Sequence, residues 1–429
     1  MEKLFTEFTA TDANAWKARL EKDLKGITFE QLSGSDRNGI TIHPFYTAQD
    51  HTDGAPVTTQ ADWSIVSTIQ VSDVATANKK ALHELNNGAS GLHFVIDEDV
   101  DVASLLQDIE LPYIYSLFQI GERAANFSNA LHTYCEAKGW NIAEMDCFVE
   151  QDSIASYLSG ASANKSINSH ATIAVNAGIY LNAGANSSYE LACTLAHVNE
   201  YLHQAKENNA LSAINSIHIS TTTDTAFFEQ IAKLRALRTL LALVLEQYNI
   251  TPKIHVHVTT SNTYRSPFDS YSNLLRDSVA GMAAVIGGCD SLYIPPFDAA
   301  VKDENEFSSR MSRNQQLIFK EESYFNKVAD AAAGSYYIET LTEQIATQAW
   351  QHFQAIEQAG GLISAFEKGI IQKEIETQAQ QLIQEYKDGK RVLIGVNKFV
   401  NATDEPKPFT AEKLKEKGLQ AISLANEIL

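Results

Sequence analysis

Ser261-Asn262-Thr263-Tyr264-Arg265-Ser266-Pro267-Phe268-Asp269 is a polar loop, and the order of elements after it decides how the chain is built. The spacing of Tyr271, Leu274, Leu275, Met282, Val285 and Ile286 predicts a helix with one apolar face. Gly287-Gly288 stops it, because glycine accepts the positive φ of a helix C-terminus. Asp290-Ser291-Leu292-Tyr293-Ile294 then reads as a short strand, closed by Pro295-Pro296, which cannot continue a ladder. A polar helix through Ser309–Gln316 and the segment Gly334-Ser335-Tyr336-Tyr337-Ile338-Glu339 follow. Loop, helix, glycine stop and strand make one βα unit.

Upstream the same unit repeats. Short β-branched runs predict strands at Ser64–Ile69, Gly91–Ile96, Tyr113–Phe118, Met145–Val149, Ala171–Asn176, Ser216–Ser220, Ile254–Thr259 and Ser291–Ile294. Amphipathic stretches separate them, the clearest being Tyr189–Ala205 and Thr225–Gln247. Eight strands joined through helices imply parallel pairing with right-handed crossovers. The economical α/β architecture is a closed (β/α)8 TIM barrel, its active site expected at the C-terminal ends of the strands. A doubly wound sheet is the alternative, but no GxGxxG fingerprint follows the first strand.

The barrel with a helical appendix is expected over residues 63–400. Before it, residues 1–62 form an arm in which Trp16, Leu20 and Leu24 share a helical stripe and Ile40–Tyr46 is extended. The arm has too little apolar surface to fold alone, so Trp16, Leu20, Leu24, Phe45 and Tyr46 dock either on this barrel or on a partner subunit. After Gly334 the stripe Leu341, Ile345, Ala349, Phe353 and a charged helix over Gln372–Tyr386 form a C-terminal helical extension. Arg391–Val396 reads as one more strand. Residues 401–429 read as a linker and a last helix over Ala411–Ile428, leading towards a further domain.

Composition excludes several functions. The chain has 429 residues, 44% of them hydrophobic and 20% charged, the balance of a globular protein. A net charge of −20 argues against nucleic acid or anionic membrane as a partner, since both require basic surfaces. There is no secretory signal layout at Met1–Glu7 and no apolar run of membrane-spanning length. Cys135, Cys147, Cys193 and Cys289 form no CxxC, and the expectation is free thiols in a reducing cytoplasm. Zinc-type Cys/His spacing, HExxH, GxSxG and the P-loop are missing. His255 and His257 alternate with Ile254, Val256 and Val258 and therefore share one side of a strand. They read either as barrel-mouth groups or as hydrogen-bonded core histidines.

Taken together, Asp269-x-Tyr271-x-Asn273 with Arg276, Gly287-Gly288 with Ser291-Leu292, and Ser308-x-Arg310-x-x-Arg313-Asn314-x-Gln316 resemble the barrel domain of the methylmalonyl-CoA mutase family. Asp330 with Gly334-Ser335-Tyr336-Tyr337-x-Glu339, Asn182-Ala183-Gly184-Ala185, and Gly395-Val396-Asn397 extend the match. These enzymes use adenosylcobalamin to interconvert (R)-methylmalonyl-CoA and succinyl-CoA through a deoxyadenosyl radical. The departures from the pattern concern chemistry. The family's catalytic Tyr-His positions are Gly178 and Ile179 here, and isoleucine neither donates a hydrogen bond nor exchanges a proton. No arginine occurs between Arg123 and Arg235 to grip an acyl carboxylate, and no Arg-Pro pair exists. His257 is retained, while a family arginine reads as His255 and a family histidine as Tyr293, leaving these three as vestigial substrate-side candidates. No D-x-H cobalt-ligand motif occurs.

The resemblance therefore implies the non-catalytic chain of a two-chain mutase. That chain would bind no cofactor itself, would pair with a large catalytic subunit carrying adenosylcobalamin, and would stabilise the heterodimer through its arm. The emptied axis is expected to be filled by apolar or neutral polar side chains. Two alternatives remain: an acyl-CoA isomerase barrel served by a separate cobalamin-binding chain, with Arg265, Lys302 and Arg310 as replacement cations, and a regulatory barrel binding another protein.

Overall fold

The computed structural model describes residues 7, 11–50, 57–58, 60–124, 126–161, 172–401, 403 and 418–428. Eight parallel strands build the barrel: β3 (Ser64–Gln70), β4 (Gly91–Glu98), β5 (Tyr115–Arg123), β6 (Cys147–Glu150), β7 (Thr172–Asn176), β8 (Ser216–Thr223), β9 (Lys253–Thr260) and β10 (Ser291–Tyr293). Their order, β6-β5-β4-β3-β10-β9-β8-β7, runs once around the axis and leaves one seam, between β6 and β7, without a ladder among the described residues. Each of the eight expected strands is present. The third starts two residues later than read and runs on to Arg123, because Leu111–Tyr113 turns as a 3-10 helix and leaves Tyr113 exposed.

The main core lies between the strands and the outer helices. The helix Ser187–Glu207 is buried nearly all round because Tyr336–Gln358 packs across its outer side and across Phe227–Tyr248. The stripe Leu341, Ile345, Ala349 and Phe353 is the face that makes this second layer. Gly287 ends the Ser270–Ile286 helix at a crowded place, where a Cβ would lie 2.9 Å from Leu234, and Gly288 follows at φ +86. None of the described helices is long and apolar enough to cross a membrane.

Beyond the start of β5, the chain departs from its sequence reading in three places, and its arm, read as docking on this barrel or on a partner, is anchored on the barrel only in part. The Ser270–Ile286 helix turns Tyr271 (65% exposed) and Leu275 (68%) outwards, and buries Asn273, Asp277, Ala280 and Ala284. Polar groups decide the orientation. Asn273 donates to the carbonyls of Ser266 and Phe297 and accepts from Ser266 N–H, and Asp277 pairs with Arg265 at 3.0 Å. Secondly, Arg391–Val396 is no strand. Asn397 accepts from Leu393 N–H and donates to the carbonyls of Tyr386 and Arg391, folding the segment on itself with Gly395 at φ +76.

Thirdly, the last helix spans only Leu424–Ile428, and residues 411–417 of the expected helix lie outside the described residues. Gly418 to Ser423 instead run as a strap over the C-terminal side of the barrel. Backbone N–H groups of Leu419, Ile422 and Leu424 donate to Leu158, Asn182 and Thr263 carbonyls at 2.8, 2.8 and 2.9 Å. Finally, the arm's helix Ala13–Asp23 buries none of its residues. The arm is anchored on this barrel by Phe29 and Ile40 and by the hairpin β1 (Gly34–Ser35) and β2 (Thr41–Ile42). In that hairpin, Arg37 donates to the carbonyls of Gly184 and Ala185.

Candidate functional site

Alternate residues on a barrel strand face the axis. Register then brings side chains from separate strands to one level: His218 on β8 stands beside His255 on β9, and His257 beside Ser291 on β10. From the far wall Tyr115 on β5 stacks on His255 with centroids 4.7 Å apart, and its hydroxyl lies 2.8 Å from His218 Nε2. Phe148 on β6 fills the remaining quadrant, 4.7 Å from His218 and 4.9 Å from His255. Tyr115, Phe148, His218, His255 and His257 are each buried. The axis is thus packed by rings.

These rings are neutral. Burial holds His93 and His255 at about 4, and pushes His218 and His257 well below the usual range, with neighbouring histidines adding to the effect. One hydroxyl serves two imidazoles: Ser291 Oγ lies 2.9 Å from His255 Nε2 and 2.8 Å from His257 Nδ1, both within hydrogen-bond distance. His93 lies between Thr68 and Gln119. His218 Nδ1 and His257 Nε2 are buried without a partner among the described residues. Tyr293 belongs to the same lining, packed with Val66. Thus His255, His257 and Tyr293 are brought together, in the packed interior rather than at an open mouth. Among the described residues no cluster of three or more His, Cys, Asp or Glu could hold a metal ion.

Gly178 and Ile179 open the short helix Gly178–Asn182 just beyond β7. A Cβ at Gly178 would meet Thr222 Cγ2 at 3.1 Å, and Ile179 packs half-buried against the main core. Neither side chain offers a donor to the axis. The three cations expected as replacements are engaged elsewhere. Arg265 is buried, donating to the carbonyls of Pro295 and Pro296 and paired with Asp277. Lys302 pairs with Asp298 at 2.8 Å, and Arg310 sits over the Phe307 ring.

Several buried groups escaped the sequence reading. Glu150, at the end of β6, accepts a hydrogen bond from Ser220 at 2.6 Å and is pushed up to about 7 by burial. Lys233, fully buried, joins Glu190 at 2.8 Å and the Thr222 carbonyl at 2.5 Å. His93 and His218 escaped too, although each stands at an alternate position of an expected strand, the signal that singled out His255 and His257. The motif residues have structural partners of their own. Arg235 is clamped by Asp330 and by Glu339 (2.7 Å), Arg313 pairs with Glu84, and Gln316 accepts from Trp63 Nε1 at 3.3 Å.

Comparison with known proteins agrees with this architecture. Residues 161–426 match the family described as methylmalonyl-CoA mutase. The methylmalonyl-CoA mutase small subunit of Porphyromonas gingivalis is 34% identical over 94% of this chain and 72% of its own length. That of Streptomyces virginiae is 27% identical over 94% of this chain and 73% of its own. The Streptomyces virginiae large subunit is 35% identical over 52% of this chain, which covers 31% of that protein. With the eight-stranded parallel barrel and the structural roles found for the motif residues, the matches settle the relationship: this chain belongs to the methylmalonyl-CoA mutase family.

Proposed function

We propose that this chain is a small, non-catalytic subunit of an adenosylcobalamin-dependent methylmalonyl-CoA mutase and stabilises a heterodimer with a large catalytic subunit. The observation that carries the reading is the packed, neutral axis. Interconversion of (R)-methylmalonyl-CoA and succinyl-CoA requires room for a thioester, a donor at its carbonyl and a cation for its carboxylate. Here rings fill that room, Gly178 and Ile179 supply no donor, and Arg265 is committed to Asp277 and two carbonyls. The strap from Gly418 is bonded to Asn182 and Thr263, in the segments that follow β7 and β9, which supports the view that no adenosylcobalamin sits on this chain. Radical chemistry is therefore assigned to the partner.

The arm fits the structural role. Trp16 stacks on Phe45 at 4.5 Å, Tyr46 lies 5.0 Å from Tyr337, and Phe228 lies beyond Tyr337 at 5.5 Å, so aromatic rings run from the arm onto the barrel's own helices. Phe45 and Phe228 stay 47% and 51% exposed, and Trp16, Leu20 and Leu24 are only partly covered, as expected of a face that a second subunit completes. Names of homologous large and small subunits support a two-chain enzyme. The test is calorimetric titration of the chain with methylmalonyl-CoA and with adenosylcobalamin, then turnover after mixing with a large subunit. Silence from the chain alone and turnover in the mixture fit the proposal. Micromolar binding of either ligand by the chain alone overturns it.

A further inference from the structure

We propose that Asn87-Gly88 is a site of spontaneous modification, where water converts Asn87 to isoaspartate and Arg313 directs the product. The chain holds two Asn-Gly pairs, Asn38-Gly39 and Asn87-Gly88. Deamidation needs a releasable asparagine amide and an unshielded backbone nitrogen after it. Glycine meets the second need at both places, because it has no Cβ beside its N–H. The fold separates the two pairs by the first.

The Asn38 amide is locked. Asn38 is half-buried, its Nδ2 donates to Asp36 (3.0 Å) and Glu229 (3.1 Å), and its Oδ1 accepts from the Ser188 N–H at 2.9 Å. Asn87 and Gly88 are both exposed. Asn87 caps the C-terminus of the Val74–Asn86 helix. Its amide is held through Nδ2 alone, which donates to the His83 carbonyl at 2.7 Å and lies 3.5 Å from His83 Nδ1. The Gly88 N–H makes a long bond, 3.3 Å, to the Leu85 carbonyl. Helix ends fray, and fraying here frees the amide and the nitrogen together.

The reaction consumes nothing but water. The Gly88 nitrogen loses its proton to solvent and bonds to Asn87 Cγ. The Cγ–Nδ2 bond breaks, and Nδ2 takes up a proton and leaves as ammonia. Water then opens the cyclic imide at either carbonyl. Opening at the side-chain carbonyl gives aspartate. Opening at the main-chain carbonyl gives isoaspartate, whose free carboxylate is the former Asn87 carbonyl. Arg313 Nε donates to that carbonyl oxygen at 3.1 Å. A guanidinium there polarises the carbonyl towards water and pairs with the carboxylate that forms. Arg313 also holds Glu84, which accepts from Ser67 on β3 at 2.7 Å. The new carboxylate therefore competes with Glu84 for its cation, and the main chain gains a methylene at the end of the helix.

The experiment incubates the full chain in mildly alkaline buffer, folded and in parallel unfolded in urea. Both asparagines are followed by peptide mass spectrometry and by enzymatic methylation of isoaspartate. In the folded chain Asn87 should react at least about tenfold faster than Asn38, whose amide has more hydrogen bonds to break. In urea the two rates should converge. The isoaspartate share at residue 87 should be higher in the folded chain than in urea, and Arg313→Lys, which keeps a cation for Glu84 but loses the Nε–H, should lower it. The comparison of folded and unfolded wild-type chain stands even if that variant folds poorly. An unreacted Asn87 in the folded chain while the unfolded chain deamidates, equal folded rates at the two asparagines, or an isoaspartate share no higher than in urea would each overturn the assignment.

Discussion

Arg235 and three axial histidines, His218, His255 and His257, are buried, and His93 is half-buried beside them, yet they solve burial in opposite ways. Outside the strands, Arg235 keeps its charge and is met by two carboxylates, Asp330 and Glu339, both part of the family signature. Inside them, His93, His218, His255 and His257 give up charge and are packed as rings, two with a nitrogen unpaired among the described residues. The outer network is the kind of feature a fold cannot lose, whichever reaction it hosts. The axis is where a reaction would be hosted, and on the reading proposed above it has been given over to packing while the signature persists as architecture. The two regions should then respond differently to perturbation.

The largest effect is expected from the outer network. Arg235→Met leaves Asp330 and Glu339 buried without their cation, and removing one partner of a buried ion pair costs about 3–5 kcal/mol. Urea denaturation of the variant should show that loss. A change below about 1 kcal/mol would mean that water reaches the site and that the contrast between the two regions is false.

Acid should strike the axis next. In the unfolded chain a histidine takes up its proton near 6.5, whereas folded His93 and His255 do so at about 4. The folded state therefore binds fewer protons between those values. Stability is full above pH 6.5 and falls as pH drops towards 4, by up to about 3 kcal/mol for each such histidine. Glu150 works the other way: raised to about 7, it favours the folded state as pH falls from 7 towards its unfolded value. The measurement is thermal denaturation from pH 7.5 to 4.5, with His93→Gln expected to flatten the acid limb. An acid limb unchanged in that variant would remove His93 from the groups that set it.

Much of this fold was legible in the sequence because a parallel barrel writes itself as alternating β-branched runs and amphipathic stretches, and each of the eight strands was found that way. The axial histidines were half legible. His255 and His257 share one strand, so period two exposes them, but their partners Tyr115, Phe148 and His218 lie on other strands and meet them only through closure of the sheet. The outward turn of Tyr271 and Leu275 was not legible at all. Helical periodicity marks an apolar stripe, but the pairing of Asn273 and Asp277 with a distant loop decides which side is buried. Nothing local showed that Gly418–Ile428 would fold back onto the barrel.

A smaller effect tests whether the axis is held by specific contacts or only by volume. Tyr115→Phe keeps the ring stacked on His255 and removes the hydroxyl 2.8 Å from His218 Nε2. Because His218 Nδ1 already lacks a partner, the variant leaves a buried imidazole with no hydrogen bond among the described residues. A loss of about 1–3 kcal/mol is expected in urea denaturation, the cost of one unsatisfied buried polar group. A neutral result would indicate that water enters the axis and serves His218, which would reopen the question of space for a ligand.

The smallest effect on the isolated chain is expected at the arm, and it separates docking on this barrel from docking on a partner. Trp16 buries only part of its surface, against Phe45 and Phe29, so Trp16→Ala should change the unfolding free energy of the chain alone by less than about 1 kcal/mol. If the arm's outer face is completed by a large subunit, the same substitution removes an aromatic anchor from that interface. Such anchors are worth about 2 kcal/mol or more where they are fully covered, equivalent to a thirtyfold or greater loss of affinity in a mixing experiment followed by analytical ultracentrifugation. Equal small effects in both measurements would confine Trp16 to the arm's own folding. A large loss in the isolated chain would make the arm part of the barrel's core rather than a surface awaiting its partner.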